Sequence, residues 1–359
     1  MHDDGQTKST HGQTTLEDMD AAKLAIVIFA KDEEKNIAQI LRSLASQTLI
    51  AQKDVAHTIY VVANGCTDRT VEFAREAAAE LDDRWNGKAE ILDWEAAGKS
   101  RSWNRFIHEI LPSDVTRVIA LDADIEFVDD SVLASMINLM RDTPSLQVVS
   151  GAPVKDSVRK SRRSLVNRFS TNVSNLASYS QSICGQLYLA KASCLREIWL
   201  PDETPGEDGF LNAMVRTRGF SRPYQSDVMM QMAGATHYFE DHSVMNFFKH
   251  ETRMIVGTMI NRWIFEYLNS LKLSEPAGPL IEKLNRDQPD WVDRMVEKES
   301  AKRWLIPNDL LFRRLQPKSG INSTYLLHLP VLCLATVLTF PPAITANRAL
   351  KRRGAAAIW

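Results

Sequence analysis

The feature that most constrains this chain is a unit repeated near its amino end: a short apolar run, a polar turn, then a helical pattern. Leu24-Ala25-Ile26-Val27-Ile28-Phe29-Ala30 is apolar and rich in β-branched residues, which predicts a strand buried on both faces. In 36–49, Ile37, Ile40, Leu41, Leu44 and Ala45 fall at helical spacing, and Asp32, Glu33 and Glu34 place negative charge near the helix start. The unit returns with Thr58 to Ala63 as strand, Asn64-Gly65-Cys66-Thr67-Asp68 as turn and Thr70 to Leu81 as helix. Ala89 to Asp93 is a third strand. Gly98-Lys99-Ser100 then opens a helix through Ile110, and Arg117 to Leu121 forms a fourth strand ending in Asp122. Strands alternating with helices over about 120 residues predict an α/β fold with a doubly wound parallel sheet, whose ligands sit outside the carboxyl ends of the strands. The polar turns all fall on that edge.

Composition narrows the classes. The 359 residues, 44% hydrophobic and 25% charged, lie in the globular range and suffice for one large domain or two smaller ones. With 43 basic and 45 acidic residues the net charge is -2, so no global field points to nucleic acid as a partner. Cys66, Cys184, Cys194 and Cys333 are scattered, without the close pairs of a zinc or redox site. Residues 1–22 are polar and lack an apolar signal core, which predicts a disordered tail and a cytoplasmic protein.

Beyond Asp124, a helix is expected over Ser131 to Arg141 and a strand over Gln147 to Ala152. A basic cluster follows at Lys155, Arg159, Lys160, Arg162, Arg163 and Arg168. It reads as a solvated face or as a surface for an anionic acceptor or membrane. An amphipathic pattern from His242 to Leu271 predicts a long core-packing helix. Tyr325 to Ala346 carries no charge and leads into Arg348, Lys351, Arg352 and Arg353. Pro330, Pro341 and Pro342 oppose one uninterrupted span, so either a buried terminal helix or peripheral contact with the cytoplasmic face of a membrane is expected. The divisions are a tail (1–22), a sheet domain (23–240), a helical region (241–324) and an apolar carboxy-terminal segment (325–359).

The chemistry concentrates at the strand ends. Asp122-Ala123-Asp124 follows Val118-Ile119-Ala120-Leu121, and alternation places both carboxylates on one side where the strand runs out. Two hard oxygen ligands there suit Mg²⁺ or Mn²⁺. Glu207-Asp208, in Pro205-Gly206-Glu207-Asp208-Gly209-Phe210-Leu211, stands where a polar turn enters an apolar helix, which fits a capping aspartate.

The stretch from Ala25 to about Arg253 resembles family 2 glycosyltransferases, whose fold is the Rossmann-like GT-A fold. Phe29 to Ile37 is similar to the family's first-strand signature, and Val61 to Thr70 resembles its Val-Val-Asp-Asp-Gly-Ser-Thr-Asp-x-Thr turn. Gly98-Lys99 with Asn104, then Asp122-Ala123-Asp124, then Gly206-Glu207-Asp208 follow in family order. The resemblance implies transfer of a sugar from a nucleoside-diphosphate donor to a hydroxyl acceptor, with inversion. A lipid-linked acceptor is favoured by the basic cluster and the apolar tail. Asp122 and Asp124 would hold the metal, with His237 as a candidate third ligand. Asp208 beside Glu207 would be the general base. Glu33 and Asn64 would touch base or ribose, Lys99 and Arg253 the diphosphate, and Gly185 the donor sugar.

Ala63 and Asn64 replace the two aspartates common in the second turn, and only Arg253 matches the Gln-x-x-Arg-Trp of processive members. A sugar-nucleotidyltransferase would need a glycine-rich loop after the first strand, where Lys31-Asp32-Glu33-Glu34-Lys35 has none. A non-catalytic binding protein on the same fold is the other alternative.

Overall fold

The computed structural model describes residues 23–52, 55–81, 87–156, 182–239, 244–316 and 323–353. The tail 1–22, His242 and the arginines and lysine at 159–168 lie outside them.

The first strand, β1 (Leu24–Ala30), is buried along its whole length. The helix expected over 36–49 divides into α1 (Ile37–Ala45) and α2 (Thr48–Ala51). The break falls at Gln47, a buried polar residue that must find partners. Its amide donates to the Asp129 carbonyl at 2.7 Å and accepts the Leu133 N–H at 3.1 Å.

Next come β2 (His57–Asn64), α3 (Thr70–Glu80) and β3 (Gly87–Trp94). Helix α4 (Lys99–Arg105) loosens into a π-turn at Phe106–Ile110, and β4 (Arg117–Asp122) follows. β1 pairs in parallel with β2 and β4, and β2 with β3, as the repeated unit requires.

The second half is mixed. It comprises β5 (Ile125–Phe127), α5 (Val132–Asp142), β6 (Val148–Ser150), β7 (Pro153–Lys155), β8 (Leu187–Lys191), α6 (Ala192–Arg196), α7 (Glu207–Arg216), β9 (Met229–Gln231) and β10 (His237–Phe239). The main sheet has the order β3-β2-β1-β4-β8-β6-β9, with β8 antiparallel to both neighbours. β5, β10 and β7 form a separate small sheet. The strand expected over 147–152 is realised as β6 alone, in the main sheet, and β7, which begins just after it at Pro153, joins the small sheet. The chain turns at Gly151, where a Cβ would meet the Leu187 carbonyl at 2.9 Å.

Side chains alternate across β1. Ile26 and Ile28 join one core with α1 and α5; Val27 and Phe29 join another with α4 and α7. The long helix α8 (Val244–Ser270) buries Ile255, Val256, Met259, Ile260, Ile264 and Leu268 in that second core. Then follow α9 (Gly278–Asp287), α10 (Trp291–Glu299), α11 (Asn308–Leu311), a 3₁₀ turn (Arg313–Leu315), α12 (Ser323–Val337) and α13 (Phe340–Arg353). Ala343, Ala346 and Leu350 of α13 are buried in the same core as α8, and the Asn347 side-chain oxygen accepts the Leu305 N–H at 2.8 Å. Within 325–353, α13 is a core helix, and α12 precedes it across a break at Leu338–Thr339.

Candidate active site

β4 ends at Asp122, whose N–H donates to the Gln186 carbonyl at 3.0 Å, and Asp124 stands two residues on, exposed to solvent. The ammonium of Lys99, at the start of α4, donates to Asp122 Oδ1 at 2.6 Å and to the Gly185 carbonyl at 3.4 Å. Glu207 Oε1 lies 3.3 Å from the same nitrogen.

This lysine is aimed by the turn after β2. Gly65 takes φ +66° against Ala97, and a Cβ there would meet the Ala97 nitrogen at 2.8 Å. Asn64 is buried beside it, its Nδ2 donating to the Ala30 carbonyl at 2.9 Å and its Oδ1 accepting the Gly98 N–H at 3.3 Å. Both ends of the amide are thereby engaged with backbone. In this structure the residue on which contact with a nucleotide base was expected binds the end of β1 to the Gly98-Lys99 turn.

Opposite Lys99, α7 begins with Glu207 and Asp208. Gly185 admits them closely, since a Cβ there would meet the Asp208 Cβ at 3.1 Å. The turn before α7 is held by Asn261 of α8, which donates from Nδ2 to the Gly206 carbonyl at 2.7 Å and accepts from the Thr204 hydroxyl at 3.3 Å. Gly206 and Gly257 are packed so tightly that a Cβ on either would meet the other's backbone near 3.1–3.2 Å. These positioning residues were missed in sequence reasoning; a buried asparagine in an apolar helix pattern was the available signal. A small cavity of about 20 Å³ lies behind the acids, lined by Phe29, Trp103 and Tyr188 among others. There the Trp103 indole N–H donates to the Tyr188 hydroxyl at 2.7 Å.

The electrostatics divide the carboxylates. Burial pushes the Asp122 carboxyl up to about 6, with Lys99 opposing and Asp124 and Glu207 reinforcing. Burial also raises Asp208, and the Glu207 charge beside it raises it further. For Glu207 burial acts upward too, but Lys99 and Arg253 outweigh it and hold the group below its ordinary value. The neighbours therefore separate in opposite directions. Glu33 is pushed to about 6 by burial, against a hydrogen bond from Asn36 Nδ2 at 2.7 Å, with Asp124, Asp122 and Asp68 adding to the rise. Lys99 is driven upward: burial opposes its charge, but Asp122 and Glu207 overcome that.

Of the predicted residues, Asp122, Lys99, Gly185, Glu207 and Asp208 come together, with Asp124, Glu33 and Arg253 within electrostatic reach. Arg253 is exposed on α8. His237 is not gathered in. It is fully buried, its Nδ1 is 2.8 Å from the Thr236 hydroxyl, and its Nε2 faces Gln186 Oε1 at 3.4 Å and Cys184 Sγ at 4.0 Å. Burial lowers it to about 4, so the ring is neutral. Among the described residues, the group of three or more His, Cys, Asp or Glu whose ligand atoms all lie within 4.8 Å of one another is Asp32, Cys66 and Asp68, at the turns after β1 and β2. The expectation of His237 as a metal ligand beside Asp122 and Asp124 is not met by this arrangement.

Residues 25–189 match the family model described as Glycosyl transferase family 2. Among solved structures, the fold is similar to that of a mannosyltransferase from Pyrobaculum calidifontis in complex with GDP-mannose and Mn²⁺. The identity is 16%, with 90% of this chain and 86% of that one covered at a TM-score of 0.52. A glucosyl-3-phosphoglycerate synthase from Mycobacterium tuberculosis, in complex with Mg²⁺ and UDP, aligns at 14% identity over 73% of this chain and 85% of its own, with a TM-score of 0.47. Among curated proteins none matches this sequence.

Proposed function

With residues 25–189 belonging to glycosyltransferase family 2, we propose that this enzyme transfers a sugar from a nucleoside-diphosphate donor to an acceptor hydroxyl in one inverting displacement, with Asp208 as the base. The observation that carries the reading is the excess of carboxylates at the strand ends. Glu33, Asp122, Asp124, Glu207 and Asp208 face two cations, Lys99 and Arg253, and three of the five have their proton affinity raised. Such a site favours additional positive charge. The donor set fits a hard divalent ion, and the fold neighbour solved with GDP-mannose and Mn²⁺ supports the same reading. Mg²⁺ or Mn²⁺ would be held by Asp122 and Asp124 and would stabilise negative charge on the departing diphosphate.

The chain's own groups do the rest. As the acceptor oxygen bonds to the anomeric carbon, the Asp208 carboxylate takes the hydroxyl proton. The bond from that carbon to the diphosphate oxygen breaks, and its electron pair leaves with the diphosphate. A single attack from the face opposite the leaving group inverts the centre. Burial and Glu207 raise the basicity of Asp208, which suits a base working near neutral pH. Lys99 keeps Glu207 ionised and draws the diphosphate toward the strand ends. We place the acceptor hydroxyl on a lipid-linked molecule, a reading supported by the apolar character of α12.

Calorimetry with Mn²⁺ and a panel of nucleotide-sugars, paired with turnover of Asp208→Asn, tests this. The variant should bind donor like wild type while kcat falls about 10²–10⁴-fold. Undiminished turnover removes Asp208 as base. Nucleotide binding that ignores Mn²⁺, or survives Asp122→Ala with Asp124→Ala unchanged, removes the metal.

A further inference from the structure

Helix α12 turns an entirely apolar face to solvent. Every exposed position described along it is Leu326, Leu327, Pro330, Cys333, Leu334 or Val337. These recur at the three- and four-residue spacing of one helix face. Leu327 is 77% exposed and Val337 61%, and a contiguous apolar stripe of this kind is rare on the surface of a monomeric soluble protein and marks an interaction site.

The opposite face is anchored. Leu332, Ala335 and Thr336 are buried, the Tyr325 hydroxyl donates to the Leu315 carbonyl at 2.8 Å, and the Arg314 guanidinium donates to the Thr339 hydroxyl. Arg314 also pairs with Glu251 of α8 at 2.8 Å. The stripe is thus held outward by the rest of the fold. It continues across the break onto α13, where Phe340 and Ile344 are exposed, and Phe312 packs edge-on against Phe340 with ring centroids 6.1 Å apart. Further along the exposed side of α13 come Arg348, Lys351 and Arg352. Residues 323–353 contain no Asp or Glu.

We propose that α12 and the first turn of α13 dock into the surface of an anionic lipid bilayer, α12 lying with its apolar face in the acyl boundary and the basic end of α13 among the headgroups. The inference is independent of the catalytic reading. Tyr325–Arg352 is long and apolar enough to cross a membrane, and only 39% of its most apolar 18 residues are buried. Two facts oppose crossing. α12 has 15 residues, about 22 Å of helix, short of the roughly 30 Å hydrocarbon core. α13 would have to abandon the packing of Ala343, Ala346 and Leu350 to extend it. Peripheral insertion keeps both. The cationic end selects the lipid, because the cytoplasmic leaflet carries the anionic headgroups, and it places the enzyme on that face.

Co-sedimentation of the full chain with vesicles of phosphatidylcholine, with and without phosphatidylglycerol, tests the proposal. Wild type should pellet with the mixed vesicles, and Arg348→Gln, Lys351→Gln and Arg352→Gln together should weaken that binding on the order of a hundredfold. Leu327→Glu with Val337→Glu, at solvent-facing positions, should abolish binding while its thermal melt and donor binding match wild type. Failure of wild type to bind the mixed vesicles, or full binding by the glutamate variant, overturns the proposal. So does a lipid-free dimer that the glutamate variant dissociates, which would assign the stripe to a second copy of this chain.

Discussion

Replacing Glu33 by Gln should make the protein more stable and the enzyme worse, and the structure sets both the size and the pH window. The ordinary glutamate value of 4.5 rises to about 6 at this position, from burial first and then from Asp124, Asp122 and Asp68. That rise corresponds to about 2 kcal/mol, which solvent screening of a partly exposed side chain reduces to about 1 kcal/mol. The folded state holds this proton more tightly than the unfolded state, so the wild type loses that stability as pH climbs from about 4.5 to about 6. Glutamine never ionises, and its side-chain oxygen can still accept from Asn36. Urea unfolding of both proteins should therefore give a difference near zero at the acid end of the window. By pH 7 it should grow to about 1 kcal/mol in favour of the variant. Comparing the pair removes every other titration common to both. Saturating Mn²⁺ should shrink the difference, because charge held at Asp122 and Asp124 relieves two of the groups acting on Glu33. A difference that stays constant with pH, or a wild type that is the more stable at pH 7, would refute the electrostatic account.

Other outcomes follow from neighbouring contacts. Lys99→Met leaves Asp122 and Glu207 without their shared cation and should cost about 3 kcal/mol at pH 7, with part recovered as pH falls, because Asp122, no longer held down by Lys99, takes up its proton at a higher pH than in the wild type; an unfolding midpoint unaffected by the change contradicts this. Gly65→Ala forces a side chain into φ +66° against the Ala97 nitrogen and should lower stability by about 2 kcal/mol or more, measured by thermal melting. Glu251→Ala strands the Arg313 and Arg314 guanidiniums, which lie 3.2 and 2.8 Å from it, and should cost about 3–5 kcal/mol. Glu251→Leu combined with Arg314→Met should recover most of that loss, and equal damage in both variants would show that the ion pair is not the cause.

Much of this was legible in the sequence because parallel strands buried on both faces must be apolar throughout. Leu24 to Ala30 and Arg117 to Asp122 fall where their runs predict, and the turns after them carry the polar residues because the chain leaves the core there. The mixed half was not legible. β6, β7 and β9 have three residues each, too few for a period of two to declare itself, and the antiparallel placement of β8 depends on a partner far away in the chain. The split at Gln47 escaped for a similar reason: helical spacing continues through it, and only the loop at Asp129–Asp130 reveals why a buried glutamine ends the helix.

Asn64 marks the boundary between what motif order can tell and what only geometry can. A polar residue at a strand end in a ligand-binding turn has two destinations, ligand or backbone, and spacing does not distinguish them. Here both halves of the amide reach backbone, Ala30 at the end of β1 and Gly98 just before α4. An aspartate in the same place could accept from Gly98 but could not donate to Ala30, so the amide does something a carboxylate cannot. It leaves one less negative charge beside an already acidic site while fixing the turn from which Lys99 reaches Asp122. The departure at Asn64 therefore affects catalysis through the position of Lys99, and Asn64→Asp should weaken donor binding through that lysine, with Lys99→Met adding little to the loss; fully additive losses would separate the two residues and refute the link.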